Sequence, residues 1–203
     1  MKQISILIKP ASGRCNLNCK YCFYKDEINL RNDTNLGLMS LNTYELILKA
    51  FLNIPGLDTL NIAFQGGEPC LAGLDFYKKA VLIPSKINNY VKINYSIQTN
   101  GTLIDDNWAS FLKEYHFLVG ISLDGIKETH DLYRPDLKNN ETFNIVLANI
   151  NILKRHQVDF NILTVITKEI AKRANDIYSF YKKNNFNYVQ FIPCLLYTSP
   201  SPR

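Results

Sequence analysis

Three cysteines stand close together near the N-terminus, in the segment CNLNCKYC. Cys15, Cys19 and Cys22 follow a C-x-x-x-C-x-x-C spacing directly after a short apolar stretch. Three thiolates on one short loop can converge on a metal, and thiolate-only ligation favours zinc or an iron–sulfur cluster over hard cations. The residues between them match neither a helical nor a strand period, so packing as three small hydrophobic side chains is the weaker interpretation.

The number of nearby ligands bears on the choice between zinc and a cluster. Structural zinc closes its shell with four protein ligands, whereas Cys70, Cys194 and the three histidines all lie far from the motif in sequence. A cubane cluster also usually takes four cysteines, so three would leave one iron open and reactive. A binding or structural protein with a zinc-stabilised loop remains the non-enzymatic alternative, and it requires a fourth ligand that the sequence does not place.

The elements that must position this loop alternate along the chain. Apolar strand-like segments at 4–9, 59–65, 93–98, 117–123, 160–166 and 188–192 are separated by amphipathic, helix-like segments. This alternation predicts a parallel sheet covered by helices. Six strands fit a partial (β/α) barrel, because a full barrel needs eight.

Helix boundaries are indicated by capping residues and breakers. Asn42 and Glu45 are placed as a capping box for the first helix, and a second helix-like stretch from Asp75 is interrupted by Pro84. Three further helices are predicted. One begins at Asp105, and the other two cover 142–156 and 171–184.

Polar residues follow the strands at their carboxyl ends, where the loops of such folds converge. The cysteine loop follows the first strand, QGGEP the second, QTNG the third and SLDG the fourth. Turn formation explains the glycines but explains Gln65, Glu68, Gln98 and Ser122 less well. We therefore expect a functional site at this end of the sheet.

Two of these features suit a small zwitterionic ligand. Gly66 and Gly67 lack a Cβ, so another molecule could lie against the backbone, where carbonyls accept bonds from an ammonium group. Arg134, in HDLYRP, offers a bidentate fork for a carboxylate, and Ser122 can add a hydroxyl. The alternative for Arg134 is a surface salt bridge with Asp131 or Asp136.

The motif CNLNCKYC matches the C-x-x-x-C-x-aromatic-C signature of radical S-adenosylmethionine (SAM) enzymes. With Lys9-Pro10, Phe23-Tyr24 and FQGGEP, the chain resembles the anaerobic sulfatase-maturating enzymes from about Ile6 to Leu195. The resemblance implies an α/β fold, a partial (β/α)6 TIM-like barrel of parallel strands that forms the radical SAM core, C-terminally truncated. We expect a core domain over 1–195 and a short Ser/Pro tail over 196–203 that is not native structure.

The resemblance also implies two cofactors, a [4Fe-4S] cluster and S-adenosylmethionine. One electron from the cluster would break the sulfonium C–S bond and give methionine and a 5'-deoxyadenosyl radical that abstracts hydrogen. The implied cluster ligands are Cys15, Cys19 and Cys22. The implied S-adenosylmethionine contacts are Gly66, Gly67 and Glu68 at the amino group, Ser122 and Arg134 at the carboxylate and ribose, and Tyr21 and Leu195 on either side of adenine. Tyr21 could equally be ordinary core.

The implied substrate is a cysteine or serine of a sulfatase peptide, which is oxidised to formylglycine. Another peptide modification, such as thioether formation, would use the same core. We expect Tyr24, Gln65, Gln98 and Asn100 to face the peptide, and a ferredoxin or flavodoxin to donate the electron. The catalytic base is unknown, because the later aspartate and the further cysteine-rich segments of longer family members have no counterpart in this sequence. The alternative is an incomplete fragment that binds a metal cluster and does not modify a sulfatase.

The composition agrees with a globular enzyme. The 203 residues are 46% hydrophobic with a net charge of +5, and the lysines are scattered among acids, which predicts a solvated surface rather than a nucleic-acid interface. No apolar run approaches the roughly 20 residues that span a bilayer, and no signal-peptide pattern is present. An odd number of cysteines, three of them clustered, indicates a reducing compartment, so we expect a cytoplasmic protein without a membrane partner.

Overall fold

Six strands pair side by side in chain order to form one parallel sheet. The computed structural model describes residues 2–24, 30 and 36–194. The strands are β1 (Lys2–Ile8), β2 (Leu57–Phe64), β3 (Lys92–Thr99), β4 (Leu118–Ser122), β5 (Phe160–Ile166) and β6 (Val189–Pro193). The predicted half-barrel of six parallel strands is confirmed.

Helices cover the outer face of the sheet. They are α1 (Leu41–Leu52), α2 (Leu74–Ala80), α3 (Ile83–Ile87), α4 (Asp106–Glu114), α5 (Lys127–Tyr133), α6 (Phe143–Arg155), α7 (Lys168–Lys172) and α8 (Ala174–Lys183). A 3-10 turn, Pro69–Ala72, follows the loop after β2. The polypeptide therefore returns over the same face between successive strands, as parallel pairing requires.

The strands bury one face against these helices. In β2, Leu60, Ile62 and Phe64 are fully buried, whereas Asn61 and Ala63 between them are partly exposed on the inner face of the half-barrel. This alternation follows from the two-residue period of a strand. Bulky aliphatic and aromatic residues thus hold the sheet to the helices and leave the inner face to smaller or polar side chains.

An aromatic cluster forms the centre of the outer layer. Phe64 on β2 meets the ring of Tyr77 on α2 at 5.0 Å between centroids, and Tyr77 meets Trp108 on α4 at 5.1 Å. Phe117, before β4, stacks on Tyr95 of β3 at 4.9 Å. Burying one such side chain contributes about 2 kcal/mol, so this cluster fixes the strands whose carboxyl ends carry the polar loops.

Two helix predictions need correction, and one helix was missed. Ser40, and not Asn42, caps α1: its backbone is extended and its hydroxyl accepts a hydrogen bond from the amide of Thr43 at 3.0 Å. The predicted helix over 171–184 begins earlier and is divided at Arg173, where the backbone leaves the helical region. Helix α5 was not predicted, because its seven residues are too few to show an apolar period.

None of the helices within residues 2–24, 30 and 36–194 is long and apolar enough to cross a membrane.

The predicted C-terminal boundary lies at the limit of the described chain. Leu195 and the tail 196–203 lie outside the described residues. The domain boundary after residue 195 therefore stays a prediction.

Candidate functional site

The cysteine loop lies across the carboxyl end of the sheet, between β1 and the segment that follows α5. Its backbone is pinned at two points, because the amide of Asn18 donates to the carbonyl of Pro135 at 2.8 Å and the amide of Lys20 donates to that of Tyr133 at 2.9 Å. The three motif cysteines are half-buried, and none of them is in a disulfide. The loop thus has a defined path, which is set by its contacts with the end of α5 and the segment after it.

The loop after β2 packs directly on the loop of cysteines. The amide of Glu68 donates to the carbonyl of Arg14 at 2.7 Å. A Cβ on Gly67 would lie 2.2 Å from that carbonyl oxygen, and Gly67 has a positive φ of 57°. Only glycine allows this close approach. A glycine at this position therefore serves the packing of two protein loops.

Replacing Gly67 by alanine is expected to displace the cysteine loop. The added methyl group meets backbone atoms, which cannot rotate away, and the left-handed conformation adds strain of about 1 kcal/mol or more. We expect the free energy of unfolding to fall by about 2 kcal/mol and iron uptake to drop. Urea unfolding and iron analysis measure both; Gly56→Ala, at a positive φ with open space around it, controls for the strain alone. Equal losses in the two variants would contradict the close-packing argument.

The carboxylate of Glu68 is completely buried and ties two loops together. It accepts hydrogen bonds from the Thr99 hydroxyl at 2.7 Å and from the amides of Cys70 and Asn100 at 3.0 and 2.7 Å. Burial raises the pKa of this carboxyl above its usual value in spite of these donors. The predicted role of Glu68 at the amino group of S-adenosylmethionine stays a prediction, and its carboxylate is already engaged within the protein.

Asn100, at the end of β3, reaches the cysteine loop. Its Nδ2 donates to Asn16 Oδ1 at 2.9 Å and lies 3.8 Å from Cys15 Sγ. The amide of Leu17 also donates to Cys15 Sγ, at 3.4 Å. Asn100 was predicted to face the peptide, and that role stays a prediction. In this structure its Nδ2 joins the cysteine loop, while its Oδ1 closes its own turn by accepting from the amide of Thr102 at 3.0 Å.

Arg134 is buried and pairs with Asp124, the third residue of the SLDG segment. Arg134 Nε lies 2.9 Å from Asp124 Oδ2, and Nη2 lies 3.4 Å from Oδ1. The proposed surface pair with Asp131 or Asp136 is wrong. Asp131 accepts hydrogen bonds from the first amides of α6, and Asp136 closes its own turn with Asn140.

Tyr21 joins the same group. Its hydroxyl donates to Asp124, the guanidinium of Arg134 lies 5.3 Å from its ring centroid, and Tyr133 packs beside it at 5.7 Å. Burial is the main reason that the pKa of Tyr21 is raised. The predicted contact of Tyr21 with adenine stays a prediction.

His130 on α5 supports this group from behind. Its Nδ1 accepts a hydrogen bond from the amide of Asp124 at 3.3 Å, so the ring proton is on Nε2, which donates to Thr142 Oγ1 at 3.1 Å. Thr142 in turn donates to the carbonyl of Arg134 at 2.6 Å. Burial, with the nearby Arg134 charge, lowers the pKa of His130 to about 4, against weaker opposing effects of Asp124 and Asp131. His130 is therefore neutral at neutral pH.

The lowered pKa of His130 predicts acid sensitivity. His130 takes up a proton near pH 6.5 in the unfolded chain and only near pH 4 in the folded chain, so stability is lost as the pH falls through this window. A pKa that is lowered from 6.5 to about 4 corresponds to about 3 kcal/mol of stability. We expect His130→Asn, whose Oδ1 can accept from Asp124, to flatten the decline measured by urea unfolding from pH 7 to 4. An unchanged slope in this variant would contradict the assignment, and His116→Asn serves as the control.

A groove of about 350 Å³ runs along the inner face of the half-barrel. Its polar lining comes from Gln65, Ser96, Gln98, Asn161 and Gln190. Gln98 Nε2 donates to the hydroxyl of Ser122 at 3.2 Å. Two of the predicted site residues, Gln65 and Gln98, therefore line the groove, and a third, Ser122, is hydrogen-bonded to Gln98.

A further predicted residue, Tyr24, meets Gln65 at the mouth of this groove. Tyr24 and Gln65 share a side-chain hydrogen bond, and Lys9 Nζ lies 4.6 Å from the Tyr24 ring centroid. The amide of Gln65 donates to the carbonyl of Ile8 at 3.0 Å, which anchors this corner to β1. Gln65 and Gln98 therefore line the groove and Tyr24 adjoins it through Gln65, whereas Asn100 reaches the cysteine loop instead. The contact of these four residues with a peptide stays a prediction.

The motif cysteines are ligands of the type that hold an iron–sulfur cluster. In the part of the chain that the structure describes, no three side chains of Cys, His, Asp or Glu converge on a position for one metal ion. A [4Fe-4S] cluster is held by thiolates on its separate irons, and the two N–H donors at Cys15 Sγ are of the kind that tune such sulfurs. Burial raises the pKa of Cys15 to about 12, so metal binding here must release its proton.

The comparison with known families agrees with this geometry. Residues 10–180 match the model of the Radical SAM superfamily. The chain belongs to this superfamily. Radical SAM proteins use a [4Fe-4S] cluster and S-adenosylmethionine, the two cofactors that the CNLNCKYC motif led us to expect.

Individual radical SAM proteins are similar over nearly the whole chain. A cysteine-type anaerobic sulfatase-maturating enzyme of Clostridium novyi is 50% identical over 196 residues, which are 96% of this chain and 52% of the relative. A serine-type enzyme of Bacteroides thetaiotaomicron is 35% identical over 192 residues, or 95% and 46%. The solved structure of native anSMEcpe with bound AdoMet and Cp18Cys peptide matches with a TM-score of 0.89 at 43% identity, covering 99% of this chain and 54% of that one. The chain spans about half the length of the curated relatives it matches.

Several residues of the site were missed by the sequence analysis. Asp124, Thr99 and Asn16 each make contacts that hold predicted site residues in place. Asp124 and Thr99 stand within the SLDG and QTNG segments that were singled out, so their position after a strand was a usable signal. Asn16 and His130 carried no such signal, because their partners are distant along the chain or belong to the backbone.

Proposed function

We propose that this chain forms the cofactor-binding core of a radical SAM oxidoreductase that oxidises a cysteine of a sulfatase peptide to formylglycine. The observation that carries the proposal is the joining of the loops after β1, β2 and β3 around Cys15, through Glu68 and Asn100. The 50% identity to a cysteine-type enzyme exceeds the 35% to a serine-type enzyme. This difference favours cysteine over serine as the target.

The chain's own residues would divide the binding of the cofactors. Cys15, Cys19 and Cys22 would hold the cluster, and the bound cofactors supply one-electron cleavage of S-adenosylmethionine to a radical that abstracts hydrogen. The Gly66 and Gly67 backbone would accept from the methionyl ammonium group, because the Glu68 carboxylate is engaged by Thr99, Cys70 and Asn100.

The methionyl carboxylate would bind at Arg134 and Ser122. Arg134 donates to Asp124 through Nε and Nη2, which leaves Nη1 for another acceptor. Ser122, which accepts from Gln98, can donate its own proton to the carboxylate or the ribose. Adenine would lie against Tyr21, and Leu195 on its other side is outside the described residues.

The peptide would lie in the inner groove, beside Gln65 and Gln98, with Tyr24 at its mouth. The amides lining this groove can donate to peptide carbonyls and accept from peptide amides. A ferredoxin or flavodoxin as the electron donor and a cytoplasmic location remain predictions from the sequence. So does the absence of a nucleic-acid or membrane partner.

The test is an anaerobic assay of the reconstituted chain with S-adenosylmethionine, a strong reductant and a sulfatase-derived peptide. Three peptides that carry Cys, Ser or Ala at the target position are compared. We expect release of 5'-deoxyadenosine and an aldehyde, trapped by a hydrazine and found by mass spectrometry, with the Cys peptide. Product with Ser instead would overturn the choice of target. Release of 5'-deoxyadenosine without an aldehyde would overturn sulfatase maturation by this chain, and no release from a reducible cluster would overturn the radical function.

A further inference from the structure

We propose that Asp124 is a positioning residue that sets the orientation of Arg134 and Tyr21 for the binding of S-adenosylmethionine. The proposal rests on the proposed function and concerns a residue that was not predicted to contact either cofactor. Asp124 follows β4 in the SLDG segment and is fully buried. It lies behind the two side chains that were assigned to the methionyl carboxylate and to adenine.

The carboxylate of Asp124 collects donors from three separate parts of the chain. Arg134 donates through Nε at 2.9 Å and Nη2 at 3.4 Å, Tyr21 donates through its hydroxyl, and the amide of Val165 on β5 donates to Oδ1 at 3.0 Å. A carboxylate with both oxygens used in this way has no freedom to turn. The Asp124 side chain therefore fixes the positions of the Arg134 and Tyr21 side chains.

The backbone of Asp124 is held as firmly as its side chain. Its amide donates to His130 Nδ1 at 3.3 Å, and its carbonyl accepts from Thr129 Oγ1 at 2.5 Å. Both partners are on α5, the helix that ends immediately before Arg134. Asp124 and Arg134 are thus connected by the side-chain pair and by the helix between them.

This arrangement determines what Arg134 can offer to a ligand. Two of its nitrogens are directed at Asp124, and the guanidinium lies over the Tyr21 ring at 5.3 Å, so Nη1 is the part left for a carboxylate. Without the Asp124 charge, the buried guanidinium would lose its counter-ion and its fixed rotamer. Tyr21 would lose its hydroxyl partner at the same time. Since Tyr21 stands between Cys19 and Cys22, Asp124 also relates the cofactor site to the cluster loop.

The experiment measures binding of S-adenosylmethionine to the reconstituted chain by equilibrium dialysis, for the parent, Asp124→Asn, Arg134→Gln and the double variant. Asparagine keeps the size and one acceptor but removes the charge. We expect Asp124→Asn to raise Kd about tenfold with unchanged iron content. The double variant is expected to be no weaker than Arg134→Gln alone, because residues that act through one another are not additive. Asp131→Asn, which removes a helix-capping aspartate of α6, is the structural control: it lowers the unfolding temperature and leaves Kd unchanged.

Each result bears on a different claim. A normal Kd in Asp124→Asn, or additive losses in the double variant, would overturn the positioning role. A parent chain that binds cluster but no S-adenosylmethionine would overturn the proposed function and this inference with it. If Asp124→Asn fails to fold, Tyr21→Phe removes only one hydrogen bond from the same carboxylate. We expect it to raise Kd about threefold, and an unchanged Kd would overturn the proposal.

Discussion

The Cys19→Ala variant is expected to bind almost no iron after anaerobic reconstitution, where the parent chain binds roughly four irons with matching sulfide. Two thiolates on a short loop cannot hold a cluster, and the chain offers no replacement. The backbone on either side of Cys19 is fixed by the hydrogen bonds of Asn18 and Lys20 to the segment after α5. Cys70 and Cys194 are buried elsewhere, so neither can move into the vacant position.

Iron and sulfide analysis, together with the visible absorption of the reconstituted protein, measures this loss. Cys194→Ala is the matched control, because it removes a thiol buried after β6 and should leave iron binding unchanged. We expect the free energy of unfolding of the metal-free Cys19→Ala chain to lie within about 1 kcal/mol of that of the metal-free parent, since Cys19 is only half-buried. Full iron loading by Cys19→Ala, or one zinc per chain without sulfide in the parent, would contradict the cluster assignment.

The Glu68→Ala variant is expected to lower the free energy of unfolding by about 3 kcal/mol and to reduce iron uptake. Three buried donors, the Thr99 hydroxyl and the amides of Cys70 and Asn100, would lose their acceptor. Each unsatisfied donor costs about 1 kcal/mol or more. Asn100 would then hold the cysteine loop less firmly, because its backbone would have lost its contact with the loop after β2.

The stability loss in Glu68→Ala should depend on pH. Urea unfolding at several pH values measures the loss and its pH dependence. The folded chain holds the Glu68 proton more tightly than the unfolded chain, since burial raises the pKa of this carboxyl from 4.5. The parent therefore loses stability as the pH rises above 4.5, and the difference between parent and variant is expected to shrink in the same direction. Glu114→Ala, near the end of α4 on the surface, controls for the loss of a charge. A stability loss below about 0.5 kcal/mol would contradict the role of Glu68 as an acceptor for these donors.

Much of the fold followed from local sequence. The two-residue period of the strands and the longer period of the helices are properties of neighbouring residues, so all six strands were predicted within a few positions. Short elements were the weak point. Helix α5 has seven residues and Ser40 caps α1 through one hydroxyl, and signals of that length are easily masked by adjacent polar residues.

The chemistry of the cysteine motif, the six strands and the polar loops at their carboxyl ends could all be inferred from residue types and spacing. The partners of the buried polar groups could not. Tyr21 and Asp124 are 103 positions apart, and Asn100 and Cys15 are 85 apart. Arg134 has two aspartates nearer in sequence than Asp124, yet pairs with neither. A buried charge pairs with the group that the packed strands and helices bring within reach, so these contacts depend on how distant segments meet in the folded chain.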